Sequence, residues 1–224
     1  MRLHLKLTPN TDPVPFNYQH QLTGVLHKWL GQNNLHDKIS LYSFSWLRGD
    51  FKQVDKDHIT FSKGADWYIK CWNEDIIQAL RDGIKDDSSV IRGMKVYKKS
   101  VKVTPNFGSV FRFEVDSPVL TRINRDDKSR KHLTFEDEKA DASLTRTLRS
   151  KLKEAGFSNG DSEVIVGFDR SYNNAHTKLI RIKDDIRLKT SICPVIVAGT
   201  PKAVQFAWNV GIGEMTGSGF GCLK

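Results

Sequence analysis

Three of the seven histidines crowd into one short stretch of the sequence. His20, His27 and His36 fall within seventeen residues, and Lys38 follows two positions after the last of them. Imidazoles titrate near neutral pH and pass protons in either direction, and a lysine stabilises negative charge that develops in a transition state. The combination indicates general acid–base chemistry on an anionic substrate. A chance cluster of surface histidines is the alternative.

The first two histidines belong to a predicted amphipathic helix. Apolar residues recur at helical spacing between positions 22 and 30, and Gly31 follows the last of them. Residues seven apart in a helix project in nearly the same direction, so His20 and His27 share a face beside the apolar stripe. His36 lies just beyond this helix, in NLHDKIS.

The first half of the chain has the order β-α-β-β-α-β. Leu3, Leu5 and Leu7 alternate with polar residues, which is the period of a half-buried strand. A second helix is predicted from the N-cap Asn73 to Gly83. Further strands are predicted over residues 41–46, 66–72 and 90–103.

The same order restarts after TPNFGS (104–109). A long helix is predicted from Thr134, and Thr200-Pro201 opens a last one. Strands are predicted over residues 110–115, 163–168, 178–183 and 192–199, with a short closing strand at GFGCL. We therefore predict an α+β fold of tandem ferredoxin-like (RRM-like, βαββαβ) domains, residues 1–106 and 107–224, the second carrying a C-terminal glycine-rich loop.

The charge of the chain favours a phosphate-rich partner. Net charge is +9, and the basic excess is spread over both halves. Two basic runs flank the joint between the predicted domains and are our candidate phosphate contacts. The first comprises Lys95, Lys98, Lys99 and Lys102, and the second comprises Arg122, Arg125, Lys128, Arg130 and Lys131.

The chain closes on GIGEMTGSGFGCLK, which a nucleotide-binding loop does not explain. A dinucleotide loop follows a strand and opens a helix, whereas this segment follows a helix, and it lacks the GK[ST] of a phosphate loop. Its backbone either packs against the facing domain or tracks a phosphate backbone. The glycines in question are Gly211, Gly213, Gly217, Gly219 and Gly221.

Other features narrow the class of protein. The sequence has no apolar run long enough for a membrane span and no apolar signal core, so we expect a cytoplasmic protein. Its three cysteines form no CxxC pair, and no histidine has a partner at metal-ligand spacing. We predict no metal and no cofactor.

The segment NVGIGEMTGSGFG resembles the C-terminal signature of the CRISPR repeat-RNA processing endoribonucleases, family six of the CRISPR-associated proteins in the RAMP superfamily. The resemblance extends to MRLHLKLTP, YQHQLTGVLHKWL, KGADWYIKCWNEDIIQALRDGI and SPVLTR. It implies a protein that binds the repeat of a CRISPR precursor RNA and cuts it without metal. Attack by the ribose 2′-OH would leave a 2′,3′-cyclic phosphate and a 5′-OH.

The resemblance also implies roles for individual residues. LHDK resembles the family's local motif, which makes His36 the general base and Lys38 the phosphate-stabilising cation. His27 occupies a place where some relatives carry tyrosine, so it is either the general acid or the principal catalyst. His20 is the weakest of the three histidines.

Two other functions stay open at this point. A non-cleaving RNA-binding RAMP subunit of a CRISPR effector complex would need only the basic groove and the glycine segment. A ferredoxin-like module for a small molecule would make the basic charge incidental. Association with other CRISPR-associated effector subunits, and homodimer formation, are left open by the sequence.

Overall fold

The computed structural model describes residues 1–31, 39–124, 126–127, 129–183 and 186–224. Its mixture of helices and antiparallel sheets confirms the α+β class. Four of the residues singled out above, His36, Lys38, Arg125 and Lys128, lie outside the described residues. No described helix has the length and apolar character needed to cross a membrane.

The first half of the chain forms the predicted β-α-β-β-α-β unit. Four antiparallel strands make one sheet in the spatial order β3-β6-β1-β7, and two helices cover one of its faces. These elements are β1 (Arg2–Leu7), α1 (Gln19–Leu30), β3 (Tyr42–Phe44), β6 (Ala65–Cys71), α2 (Glu74–Asp86) and β7 (Val96–Lys102). A separate small sheet contains β2 (Val14–Pro15), β4 (Lys52–Gln53) and β5 (His58–Thr60), which the sequence pattern did not predict.

Strand alternation determines which face of this sheet the helices cover. Leu3 and Leu5 pair with Ile69 and Trp67 and are completely buried. The intervening His4, Lys6 and their neighbours point to the opposite face, because side chains alternate along a strand. The sheet therefore presents an apolar face to α1 and α2 and a polar face on the other side.

The second helix begins where the sequence predicts but ends later. The Asn73 side chain caps it by accepting a hydrogen bond from the Asp75 amide at 2.8 Å. Gly83 does not close the helix, which continues to Asp86. A methyl group at Gly83 would lie 2.7 Å from Trp29 Cα. Glycine is present here because the α1 backbone crosses against it.

The second half repeats the arrangement in a shortened form. Strands β8 (Val110–Phe113), β11 (Ile165–Phe168) and β14 (Val195–Ala198) form a sheet in the order β11-β14-β8, with helices α3 (Lys139–Glu154) and α4 (Pro201–Val210). The closing strand is reduced to an antiparallel bridge between Val115 and Leu223. The prediction that α3 begins at Thr134 is wrong, because the Thr134 amide bonds to the Asp137 carboxylate in a preceding turn.

Two hairpins extend from this second unit. One contains β9 (Thr121–Asn124) and β10 (Arg130–Leu133), and the other contains β12 (His176–Lys183) and β13 (Ile186–Ile192). Strand 178–183, which we predicted, is thus part of a hairpin outside the three-stranded sheet. A small apolar cluster of Leu120, Ile180, Leu188 and Phe220 anchors the second hairpin.

Each unit has its own buried apolar cluster. One cluster extends from Leu3 to Met94, and the other from Phe113 to Leu223. Trp72, which follows β6 of the first unit, packs on Phe206 of the second cluster with ring centroids 5.1 Å apart. The domain boundary at residues 106 and 107 itself stays a prediction.

Alanine at the two helix glycines of the first unit should change stability in opposite directions. At Gly24 in α1, an added methyl group meets nothing within 4 Å, so Gly24→Ala should raise the free energy of unfolding by about 0.5–1 kcal/mol. Gly83→Ala should lower it by about 1–3 kcal/mol through overlap with the Trp29 backbone. Urea unfolding measures both. Equal stability of Gly83→Ala and wild type would contradict the close helix crossing.

Candidate active site

The glycine-rich segment, residues 211–221, is buried where the two units meet. All five of its glycines are buried. A side chain at Gly217 would collide with Ser40 Oγ and with the Tyr42 hydroxyl, each 2.8 Å or closer. At Gly221, which has a φ of 61°, it would collide with the Ile212 carbonyl. The glycines therefore permit close packing against the first unit, and RNA contact by them stays a prediction.

A buried lysine holds the start of this segment. Lys151 of α3 is 3% exposed, and its Nζ donates to the carbonyl oxygens of Val210 at 3.2 Å and Gly211 at 3.3 Å. It also donates to Thr216 Oγ1 at 2.9 Å. Burial lowers the pKa of Lys151 to about 7. These three hydrogen bonds attach both ends of the loop 211–216 to α3.

An ion pair holds the middle of the segment. Arg122 donates to Glu214 Oε2 through Nε at 3.0 Å and Nη2 at 2.5 Å, and its side chain is only 13% exposed. Arg130 is 3.7 Å from the same carboxylate oxygen but is largely exposed. We therefore expect Arg122 to position the glycine-rich segment. Arg130 and the exposed Lys131 are more accessible to a ligand.

One face of α1 looks onto the glycine-rich segment. His20, Thr23, Met215 and Ser218 line a crevice of about 120 Å³ between the two elements. The His20 ring places Nδ1 2.7 Å from the Asn17 carbonyl oxygen. The structure thus brings His20, the histidine to which the sequence gave least weight, next to the segment.

His27 lies two turns further along the same helix. It is half-buried, whereas His20 is exposed. The rise of an α-helix separates the two positions by about 10 Å along the axis. His27 is therefore near the end of α1 that leads directly into residues 32–38, which contain His36 and Lys38.

The predicted β7 lysines do not share one environment. Lys98 and Lys102 are exposed, and they pair in register with Lys6 and Arg2 of β1, so the four lie on the polar face of the sheet. Lys99 points to the other face, where its Nζ donates to the Arg81 carbonyl at 2.7 Å. Burial and the neighbouring cations lower its pKa. Lys95 is exposed just before the strand.

The sequence reasoning missed the basic character of the β12–β13 hairpin. Lys178, Arg181, Arg187 and Lys189 are all exposed on it. The signal was present in the sequence, since KLIRIKDDIRLK intersperses cations with apolar residues on both sides of two aspartates. Such a ribbon offers a second surface that suits a polyanion.

A metal centre was not expected, and that expectation stays a prediction. Across the described ranges of the chain, no three His, Cys, Asp or Glu side chains are grouped so that they could hold a metal ion. Cys71, Cys193 and Cys222 are buried and unpaired with one another. Burial raises the pKa of all three thiols, so they are inert core residues.

Lys151→Met should flatten the pH dependence of stability. The unfolded chain keeps this lysine protonated up to its ordinary pKa near 10.4, whereas the folded protein releases the proton above about pH 7. The unfolded chain therefore binds more protons in this interval, and stability rises with pH. From about pH 6 to about pH 9, wild type should gain roughly 1–3 kcal/mol more than the variant in urea unfolding.

The exposed Lys153 of the same helix provides the control. Lys153→Met should keep the wild-type pH dependence. Lys70, whose pKa burial lowers to about 8, is present in all three proteins and cancels in the comparison. Parallel curves for wild type and Lys151→Met would contradict the assignment.

Comparison with known proteins gives the chain a family. The family described as CRISPR associated protein Cas6, C-terminal, matches residues 98–224, which is more than half of the chain. The CRISPR-associated endoribonuclease Cas6 1 of Methanocaldococcus jannaschii is 24% identical over 236 residues, covering 100% of this chain and 92% of that protein.

Solved structures share the fold along the whole chain. A Cas6-related protein from Pyrococcus furiosus superposes with a TM-score of 0.86 at 22% identity, covering 100% of this chain and 97% of that one. A RAMP protein that binds different RNA substrates gives 0.82 at 22% identity, covering 100% and 98%. The tandem ferredoxin-like fold is confirmed, and the chain belongs to the CRISPR-associated Cas6 family.

Proposed function

We propose that this chain is an endoribonuclease that binds the repeats of CRISPR precursor RNA and cuts within them without a metal ion. The observation that carries the proposal is the placement of α1, whose His20 face meets the glycine-rich segment and whose His27 precedes the residues that contain His36 and Lys38. Membership of the Cas6 family, and the endoribonuclease name of the Methanocaldococcus relative, support the substrate class.

The reaction is transesterification within the RNA strand. A base removes the proton of a ribose 2′-OH, the 2′ oxygen attacks the adjacent phosphorus, and the bond from phosphorus to the 5′ oxygen breaks. An acid protonates that leaving oxygen, so the products are a 2′,3′-cyclic phosphate and a 5′-OH. A cation beside the phosphorane stabilises its extra negative charge.

Histidine side chains fit both proton transfers because their pKa lies near neutrality. We assign the general base to His36 and the stabilising cation to Lys38, with His27 as the acid. The reversed order, with His27 as the principal catalyst, satisfies the same chemistry. His20 joins this set as a residue that positions RNA at the crevice beside Ser218.

The RNA path extends from this site to the basic surfaces. Strand β3 contacts the glycine-rich segment at one edge of the first sheet, and β7 forms the other edge. Three strand spacings separate the two edges, which is about 14 Å. An RNA that reaches the cleavage site and also contacts Lys98 and Lys102 must therefore span at least this distance.

In this proposal, each of the two units contributes a different part of the active site. The first, residues 1–106, supplies the histidines, and the second, residues 107–224, supplies the glycine-rich segment. Binding without cleavage would assign the chain instead to the non-cleaving RAMP subunits. Association with effector subunits, and a homodimer, stay predictions.

His27→Ala and His36→Ala should each slow cleavage of the repeat RNA by about 10²–10⁴-fold. RNA affinity should stay within a few-fold of wild type, because each substitution removes a proton-transfer group. The assay follows labelled repeat RNA on a denaturing gel in excess EDTA, with the chemistry of the ends determined. His176→Ala is the control, since that histidine is exposed and bonds the Asn174 carbonyl in a turn.

The gel separates three results. A single cut with a cyclic-phosphate end, lost in both variants, supports the proposal. Wild-type rates in both variants would place the catalytic groups elsewhere. Loss of all cutting in EDTA, restored by a divalent ion, would replace the metal-free mechanism.

Replacing Lys98 and Lys102 together by alanine should reduce the salt dependence of RNA binding. Each lost phosphate contact should lower the slope of log Kobs against log salt by about 0.7–0.9 in magnitude. The matched control replaces Lys85 and Lys153, which are exposed on α2 and α3. Affinities come from filter binding at several salt concentrations. An unchanged slope in the β7 variant would remove this strand from the RNA path.

A further inference from the structure

A cavity of about 660 Å³ opens between the first unit and the β12–β13 hairpin. Residues 15–18, 46–47, 51, 57–59 and 61 form one wall, and residues 178–181 form the other. Its volume falls in the range of pockets that bind small molecules and single nucleotides. No part of the proposed chemistry uses it.

The wall of this cavity is unusually aromatic. Phe16 and Phe51 are 44% and 56% exposed, although apolar rings of this size are normally buried. The half-buried Trp46 adds further ring surface to the same wall, whereas Tyr18 and Phe61, which also line it, are only 4% and 1% exposed. Rings that stay exposed inside a concavity offer a stacking platform for a planar ligand.

Two cations, Lys178 and Arg181, line the wall opposite these rings. Lys178 Nζ lies 4.7 Å from the centroid of the Trp46 ring, and Arg181 is loosely paired with Asp57 at 4.0 Å. A planar ring system between aromatic side chains, with phosphate groups against lysine and arginine, is the chemistry of a nucleotide in a single strand. A base stacked inside a duplex has both faces covered by its neighbours, so a duplex does not suit this cavity.

The cavity lies next to the candidate active site. Asn17 lines both the cavity and the crevice that contains His20. Trp46 Nε1 donates to the Gly219 carbonyl at 2.9 Å, so one wall of the cavity is bonded to the glycine-rich segment. The cavity is therefore within reach of an RNA strand that occupies the crevice.

We propose that this cavity binds one unpaired nucleobase of the RNA substrate, stacked against Phe51 and Phe16, with its phosphates held by Lys178 and Arg181. The inference rests on the proposed function and adds a subsite to it. The subsite makes the protein select repeats that have an unpaired nucleotide close to the cut. Because the subsite binds and does no chemistry, it acts on affinity.

The test pairs protein variants with RNAs that lack one base. Each nucleotide of the repeat is replaced in turn by an abasic ribose, with a 2′-deoxyribose at the mapped cut to block cleavage. Dissociation constants are measured for wild type, Phe51→Ala, Phe51→Trp and Phe111→Ala. Phe111 is a comparable, 40% exposed ring on β8 and serves as the control.

We expect Phe51→Ala to weaken binding of intact repeat RNA about tenfold, since loss of one base–aromatic stack has that effect. At one abasic position the wild type should lose a similar factor, and there Phe51→Ala should lose nothing more. Phe51→Trp should restore affinity, and Phe111→Ala should leave it unchanged.

Two results overturn the inference while leaving the proposed function in place. In one, Phe51→Ala binds intact RNA as tightly as wild type. In the other, it loses the same factor at every abasic position, which is the behaviour of a general structural defect. Failure of the wild-type protein to bind any repeat RNA would overturn the proposed function and this subsite together.

Discussion

Close packing of the backbone of residues 211–221 is the constraint on which the rest of the molecule depends. The segment folds back on itself, with the Ile212 amide donating to the Gly221 carbonyl, and Gly221 in turn donates to Pro118. A backbone buried in this way needs a partner for each polar group. Lys151 of α3 donates to two backbone carbonyl oxygens at the start of the segment, of Val210 and Gly211, and to the Thr216 hydroxyl. An unpaired cation is costly to bury, and the converging oxygens of the segment offset that cost.

This packing determines where the histidine helix lies. Trp46 bonds to the Gly219 carbonyl, and Gly219 approaches the Phe44 ring and Gln19. The first unit is therefore held against the segment by β3, by the loop that follows it and by the start of α1. Residues on the exposed side of the same helix then face the crevice. A change in the segment would move the helix that carries the proposed catalysts, even without contact to RNA.

Electrostatics and shape divide the surface into regions with different roles. Cations that hold the fold together are buried or paired, as Lys70, Lys151 and Arg122 are. Cations without such a role are exposed on β7 and on the β12–β13 hairpin. Since RNA affinity comes mostly from phosphate contacts, our proposal assigns attraction of the RNA to the exposed set and its selection to the cavities between the elements.

Local periodicity in the sequence predicted the main helices and strands of this protein. The alternation of Leu3, Leu5 and Leu7 predicted β1, helical spacing predicted α1, and the N-cap Asn73 located the start of α2. These predictions succeeded because burial repeats with the period of the element, and a cap is a contact between near neighbours. The repeated β-α-β-β-α-β order, together with the glycine signature, was sufficient for the fold and the family.

The partners of individual residues were decided only by the tertiary structure. Gly83 reads as a helix end in the sequence, but it marks a crossing with α1. Arg122 reads as a phosphate contact, but it meets Glu214, 92 positions away. The cavity beside Phe51 arises from loops and a hairpin that show no common pattern in the sequence. The chemistry of a side chain limits the interactions it can form, whereas long-range packing decides which groups lie close enough to form them.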